Sequence, residues 1–243
     1  MRMMTFAKRC TREILRDPLN LAFGLGFPLV LLVLLSAIQA NIPVPLFEID
    51  NLTPGITVFG LAFMTLFSAT LIAKDRESAL LQRLFTTPLT GLDFILGYML
   101  PILPIAIGQV VCCYLFAIPL GLTVRVNILY AILGIIPMAI FNIALGLLCG
   151  SLLGVKQVGG ICGALLTNLS AWFSGVWFDL NLVGGTFRRI ADLLPFVHAA
   201  ELEKALFAGD FQAAAAHILP VVLYAGLVTA VAVCCFLRKM KQQ

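Results

Sequence analysis

The chain has 243 residues, of which 61% are hydrophobic and only 12% charged, with a mean hydropathy of +1.04. A water-soluble globule carries about 25% charged residues, so this composition excludes a soluble catalytic domain and marks an integral membrane protein. The formal charge of +4 needs no nucleic acid to explain it, because the basic residues read as topology signals.

A hydrocarbon core about 30 Å thick takes roughly 20 apolar residues per helix. Six runs meet that length, at 19–39, 54–73, 92–118, 128–153, 158–178 and 213–237. Short loops rich in Lys and Arg stay on the cytoplasmic side. With the N-terminus inside, that side collects Arg2, Lys8, Arg9, Arg12, Arg16, Lys74, Arg76, Arg83, Lys156, Arg238, Lys239 and Lys241, against Arg125, Arg188, Arg189 and Lys204 outside. Both termini are therefore expected in the cytoplasm and the chain in the cell membrane. The first apolar run is too long for a signal-peptide core and lacks a clean cleavage site after it.

In chain order, residues 1–17 place Phe6, Cys10 and Ile14 on one helical face among basic residues. This predicts an amphipathic helix lying either on an anionic leaflet or against a partner. The second run carries Phe59, Phe63 and Phe67 at helical spacing, a stripe that either packs or lines a cavity. Residues 74–87, KDRESALLQRLFTT, form the one long polar interruption with a helical pattern of its own. Leu80, Leu81, Leu84 and Phe85 share one side of it, and Arg76, Gln82, Arg83 and Thr86 the other. Asp75 can cap its first turn, Glu77 suits the positive end of the helix dipole, and Pro88 ends it. By pattern alone it is an interfacial helix or a docking element.

The third run holds Pro101 and Pro104, which predict kinks. Gly146, Gly150 and Gly154 form a small-residue ladder that allows close helix approach, within the subunit or across a dimer. The fifth run ends in Trp172, Phe173, Trp177 and Phe178, an interfacial belt; its Thr167, Asn168, Ser170 and Ser174 are either interhelical hydrogen-bonding groups or part of a polar path. Residues 179–212 predict two short helices broken at Pro195 and stopped at Gly209, folding as a re-entrant hairpin outside. The seven cysteines show no metal-binding or redox spacing and read as small apolar residues.

Away from the span ends the runs contain no Asp, Glu, Lys or Arg, and His217 stands near the start of the sixth. Ion-coupled carriers and charged pores need such groups at depth. There is no phosphate-binding G-x-x-x-x-G-K-[ST], since Gly154-Val155-Lys156 is followed by Gln157, and no H-E-x-x-H or G-x-S-x-G. If the chain moves something uphill, the energy must therefore arrive from outside it.

Three stretches in order resemble the ABC-2 type permeases, the membrane subunits of one class of ATP-driven exporters. The family pattern E-x-G-T-x-E-x-L, T-P-L, I-L-G-K-x-L-P is met by Glu77 through Leu84, Thr87-Pro88-Leu89, and Ile95 through Pro101. Ala79, Leu80, Gln82 and Tyr98 depart from it, replacing Gly, Thr, Glu and Lys. A later pattern, L-P-x-x-x-A-x-E-x-x-R/K-A before a Gly, is met by Leu194-Pro195, Ala199, Glu201, Lys204-Ala205 and Gly209. The resemblance covers nearly the whole chain as a single domain, 1–243. It implies an all-α membrane protein with six transmembrane helices, an N-terminal amphipathic helix, a cytoplasmic coupling helix at 74–87 and short re-entrant helices between spans 5 and 6.

It further implies that this chain is not an enzyme and binds no cofactor. ATP and Mg would be handled by an ABC ATPase in two copies, docked through Arg76, Glu77, Leu80, Leu81, Gln82, Arg83, Leu84 and Phe85. A second permease copy or paralogue would complete the path, with Phe59, Phe63, Phe67, Thr167, Asn168 and Ser170 lining it. An uncharged, aromatic path suits export of a drug, antimicrobial peptide or lipid-like cargo. A membrane immunity or sensor subunit and a polysaccharide or lipid-linked glycan permease are the alternatives.

Overall fold

The computed structural model describes residues 2–43, 47–78, 89–178 and 180–242, and all regular structure among them is helical. In order these are α1 (Arg2–Leu15), α2 (Pro18–Gln39), α3 (Ile49–Glu77), α4 (Gly91–Ala117), α5 (Asn127–Leu152) and α6 (155–173). Three short helices follow, α7 (Leu180–Val183), α8 (Gly185–Asp192) and α9 (Pro195–Ala208), before the long α10 (Phe211–Gln242). Five of them, α2, α3, α4, α5 and α10, are long and apolar enough to cross a membrane. The expected fifth run, 158–178, is the shorter α6, whose apolar content is diluted by Lys156 and Gln157 in its first turn and by Asn168.

α3 is the axis of the bundle. Its apolar window is 89% buried, against 17% for α10, which turns Leu219, Leu223 and Leu227 outward. At 29 residues and 1.5 Å per residue it runs about 43 Å, longer than a hydrocarbon core of about 30 Å, so its ends reach past the apolar layer.

Lipid tails supply no hydrophobic force between helices, so close packing and interhelical hydrogen bonds must hold them. Here the glycine ladder packs within the subunit. A Cβ on Gly146 would lie 2.5 Å from the Thr65 carbonyl oxygen, and one on Gly150 2.7 Å from that of Ala69. Beside these rungs the Thr65 hydroxyl donates to the Asn142 carbonyl at 2.9 Å, and Ser68 to that of Ile143 at 3.1 Å.

Proline shapes the other spans. In α2 a π-helical segment, Ala22–Gly26, precedes Pro28, and the wider turn makes room for a ring that would otherwise meet the preceding turn. α5 is interrupted between Gly134 and Ile136, just before Pro137. α4 runs through Pro101 and Pro104 without interruption.

The apolar face of α1 is buried against α4 rather than turned to lipid. Phe6 meets Phe94 and Tyr98 edge-on, with ring centroids 5.4 and 4.9 Å apart. A Cβ on Gly97 would collide with the Phe6 ring, which gives the glycine of the I-L-G stretch its purpose. Burial pushes the neighbouring Cys10 thiol up to about 12, and all seven cysteines are free. Phe236 of α10 joins the same aromatic cluster, so both termini, the end of α3 and the start of α4 share one end of the bundle. α8 and α9 cover the other end.

The ladder predicts an asymmetry between glycines. Gly150→Val should cost about 1–3 kcal/mol by overpacking, whereas Gly160→Ala, with open space around its added methyl, should leave the melting temperature in detergent unchanged. Equal melting temperatures for the two variants would show that the α3–α5 contact is not tight.

Candidate functional site

The last turn of α3 is polar, and each of its four residues, Lys74 to Glu77, reaches a different part of the chain. An α-helix turns fully in 3.6 residues, so four consecutive side chains on a central helix point at four different neighbours. Lys74 pairs with Asp17 at the α1–α2 junction at 3.3 Å. Asp75 accepts two hydrogen bonds from Arg9 of α1, one of 2.6 Å from Nη2 to Oδ1, and a third of 2.8 Å from the Tyr98 hydroxyl of α4.

Arg76 donates to the Ser151 and Leu153 carbonyls, the second at 2.6 Å. These lie at the end of α5, where carbonyls lack helical partners and a cation is favoured. Glu77 accepts from the Val155 backbone N–H at 2.8 Å. That donor is one of the unpaired N–H groups opening α6, and a carboxylate suits the positive end of its dipole. The hub thus joins α3 to α1, α2, α4, α5 and α6 through side chains.

Electrostatically the centre is Asp75, 2% exposed. A buried carboxylate is costly unless it is paired and hydrogen-bonded, and three donors meet that need. For Arg9, burial works against its charge, but the hydrogen bonds and charge of Asp75 outweigh it and hold the guanidinium more firmly protonated than in water. Glu13, one turn on, adds a second acid to Arg9.

Of the residues expected at the ATPase contact, Arg76 and Glu77 are engaged inside the subunit, while Leu80, Leu81, Gln82, Arg83, Leu84 and Phe85 lie outside the described residues. Of those expected along the path, Phe59 and Phe63 pack against Phe27 of α2. Phe67 fits over Gly24 and forms part of the floor of a groove of about 380 Å³ with Leu21, Leu71 and Ile14, rimmed by Arg16 and Asp17. α6 packs on a different side of α3, through Val158 and Cys162 against Ala69 and Ala73. On it the Thr167 hydroxyl donates to the Cys162 carbonyl at 2.9 Å, and Asn168 is exposed and bonded to its own helix at Ala164. Ser170 is fully buried, its hydroxyl without a partner among the described residues.

A second polar constellation sits at the opposite end of α3. Glu203 of α9 has no exposed surface. Its Oε2 is 2.6 Å from the Thr57 hydroxyl, and its Oε1 accepts from the Tyr114 hydroxyl of α4 at 2.8 Å. On the same helix as Glu203, His198 faces His217 of α10, their Nδ1 atoms 3.1 Å apart.

Sequence reasoning singled out Glu201, which is paired with Lys204 at the surface, passed over Glu203, and read Asp75 as the cap of a separate helix starting at 74, whereas α3 runs on to Glu77 and buries Asp75 in its last turn. A signal was available for both. Glu203 follows Phe196 and Ala199 and precedes Phe207 on the apolar side of α9, and Asp75 lies one turn beyond Leu71 and Ile72, so each is an acid on an apolar face.

Removing Arg9 should leave Asp75 buried without its cation. Arg9→Ala is expected to cost about 1–3 kcal/mol, less than the loss of a fully buried pair because Arg9 is a third exposed and partly screened. In an Asp75→Ala background the same substitution should cost much less, and equal costs in the two backgrounds, read from unfolding in detergent, would show the pair to be uncoupled.

Compared with known proteins, residues 1–206 match the family model described as ABC-2 type transporter, a match that takes in α1 to α8 and most of α9. No curated protein and no solved structure was found to match the chain. With most of the chain matched, and with five apolar helices around the hub, this protein belongs to the ABC-2 type transporter family and is a multi-pass membrane permease of an ABC transporter, a family whose members associate with an ABC ATPase subunit.

Proposed function

We propose that this permease is the membrane half of an exporter that moves an amphipathic or hydrophobic cargo out across the cell membrane. ATP is bound with Mg and hydrolysed in a separate subunit, and two permeases meet two ATPases. The segment 79–88 is the docking element for the ATPase, and the end of the bundle that holds it faces the cytoplasm. Nine of the basic residues, from Lys8 to Lys239, gather at that end and favour this orientation. α6 serves as the sixth span, and its exposed face with Gly160, Ala164 and Asn168 turns toward the second permease.

The observation that carries this reading is the hub. Residues 79–88 follow directly on a turn whose side chains hold α1, α2, α4, α5 and α6. A force on that segment therefore acts on a connected frame and can shift the population between inward-open and outward-open arrangements. The groove around Phe67 supports the cargo class, since an apolar floor under a rim of Arg16 and Asp17 suits a molecule with one polar end.

Coupling can be tested apart from folding. In liposomes with a co-purified ATPase, Glu77→Lys should insert normally and lower cargo-stimulated ATP turnover about tenfold, equivalent to ~1.4 kcal/mol in the activation free energy. Unchanged turnover would remove Glu77 from the transmission route. Stimulation should come from amphipathic compounds, and stimulation by sugars or metal ions alone would overturn the cargo class.

A further inference from the structure

The contacts of Glu203 contain one proton too few if the acid is ionised. Thr57 has a single hydroxyl proton, yet its oxygen lies 2.6 Å from the Pro54 carbonyl and 2.6 Å from Glu203 Oε2. A shared proton gives two long contacts rather than two short ones. A carboxylate and a carbonyl are both acceptors only, so an ionised Glu203 would leave one of these contacts as two lone pairs pressed together. A protonated acid resolves it. Oε2–H donates to Thr57, Thr57 donates to Pro54, and Tyr114 donates to Oε1 at 2.8 Å. Every donor then has an acceptor.

The surroundings agree. Among the described residues no cation faces the acid from any helix packed on it. Lys204 of α9 is turned to Glu201, Arg125 lies over the Phe207 ring, Arg188 of α8 pairs with Asp192, and His217 of α10 faces His198. The titratable groups close enough to feel its charge are Cys113 and Tyr114 of α4, and α3 supplies only the Thr57 hydroxyl. Burial raises the acid from its ordinary 4.5 to about 8, with the contacts to Thr57 and Tyr114 working the other way.

We propose that Glu203 is a proton-binding site of this permease: it holds a proton as the neutral acid while α9 is seated on α3 and α4, and releases it to the water at that end when α9 lifts. The step balances as the acid O–H bond breaking to a water molecule, which leaves a hydrated carboxylate. That α9 moves in turnover rests on the permease reading above; the protonation state does not. The sign follows from linkage. The seated state binds the proton more tightly than the lifted one, so seating is strongest below about 4.5 and weakens as pH rises toward about 8, by as much as tenfold in the seating equilibrium per pH unit.

Infrared difference spectra of the full-length protein in lipid, taken across this pH range, test the site without any transport. A carboxylic-acid C=O band should persist at neutral pH, fall to about half at the upper end of the range, and be missing in Glu203→Gln. Tyr114→Phe should move the band to higher frequency by removing the hydrogen bond to Oε1, a check that stands even if the glutamine variant fails to fold. No such band at neutral pH, or a band unmoved by Tyr114→Phe, overturns the proposal. Amide exchange across α9, corrected for its intrinsic pH dependence, should speed up with pH in the wild type and stay level in Glu203→Gln; a level wild-type response sinks the linkage to seating. Failure of cargo transport with the band in place would count against the exporter reading and leave the proton site standing.

Discussion

A carboxylate taken out of water must be met by donors or a cation, and in this permease that constraint fixes where the helices can sit. Asp75 satisfies it with Arg9 and Tyr98, and so draws the N-terminal helix and the start of α4 onto the end of α3. Once these are in place, Lys74, Arg76 and Glu77 find their partners on the remaining sides of the same turn. The charges that face water in most membrane proteins as topology signals here also act as ties between spans. Arg76 and Glu77 do so by supplying the groups that the ends of α5 and α6 lack.

The buried acid at the far end obeys the same constraint by a different route. Among the described residues Glu203 has two hydroxyls and no cation against it, so its energetics favour the neutral form, whereas Asp75 has a guanidinium and is held as part of an ion pair. Thr57 and Asp75 stand 18 residues apart on one unbroken helix, about 27 Å at 1.5 Å per residue. α3 is thus a rod with an ionic joint at the end that leads into 79–88 and a hydroxyl–acid joint under the α8–α9 cap. A movement entering at the first joint has a stiff path to the second, because the glycine rungs of α5 lock the middle of the rod.

The departures from the family pattern gain meaning in three dimensions. Where the pattern has Lys, this chain has Tyr98, which gives Asp75 a neutral donor while Arg9 of the N-terminal helix brings the cation. Ala79, Leu80 and Gln82 fall within 79–88, whose sequence carries Leu80, Leu81, Leu84 and Phe85 and no acid. Phe59 and Phe63, at path spacing in the sequence, spend their surface on Phe27 within the subunit. The Phe67 end of that stripe reaches a groove.

Composition, run length and periodicity by themselves determined the membrane class, the positions of the apolar helices, the amphipathic α1 and the short helices closed by Gly209, because each depends on neighbours along the chain and on transfer from water. The family was legible in the order of three short motifs. What covers each face was not. Whether Phe6, Cys10 and Ile14 meet lipid or α4, whether the glycines serve one subunit or two, and which of Glu201 and Glu203 is buried depend on helices separated by tens of residues. Only the tertiary structure decides these, since a side chain's cost of burial is set by partners that sequence spacing does not name.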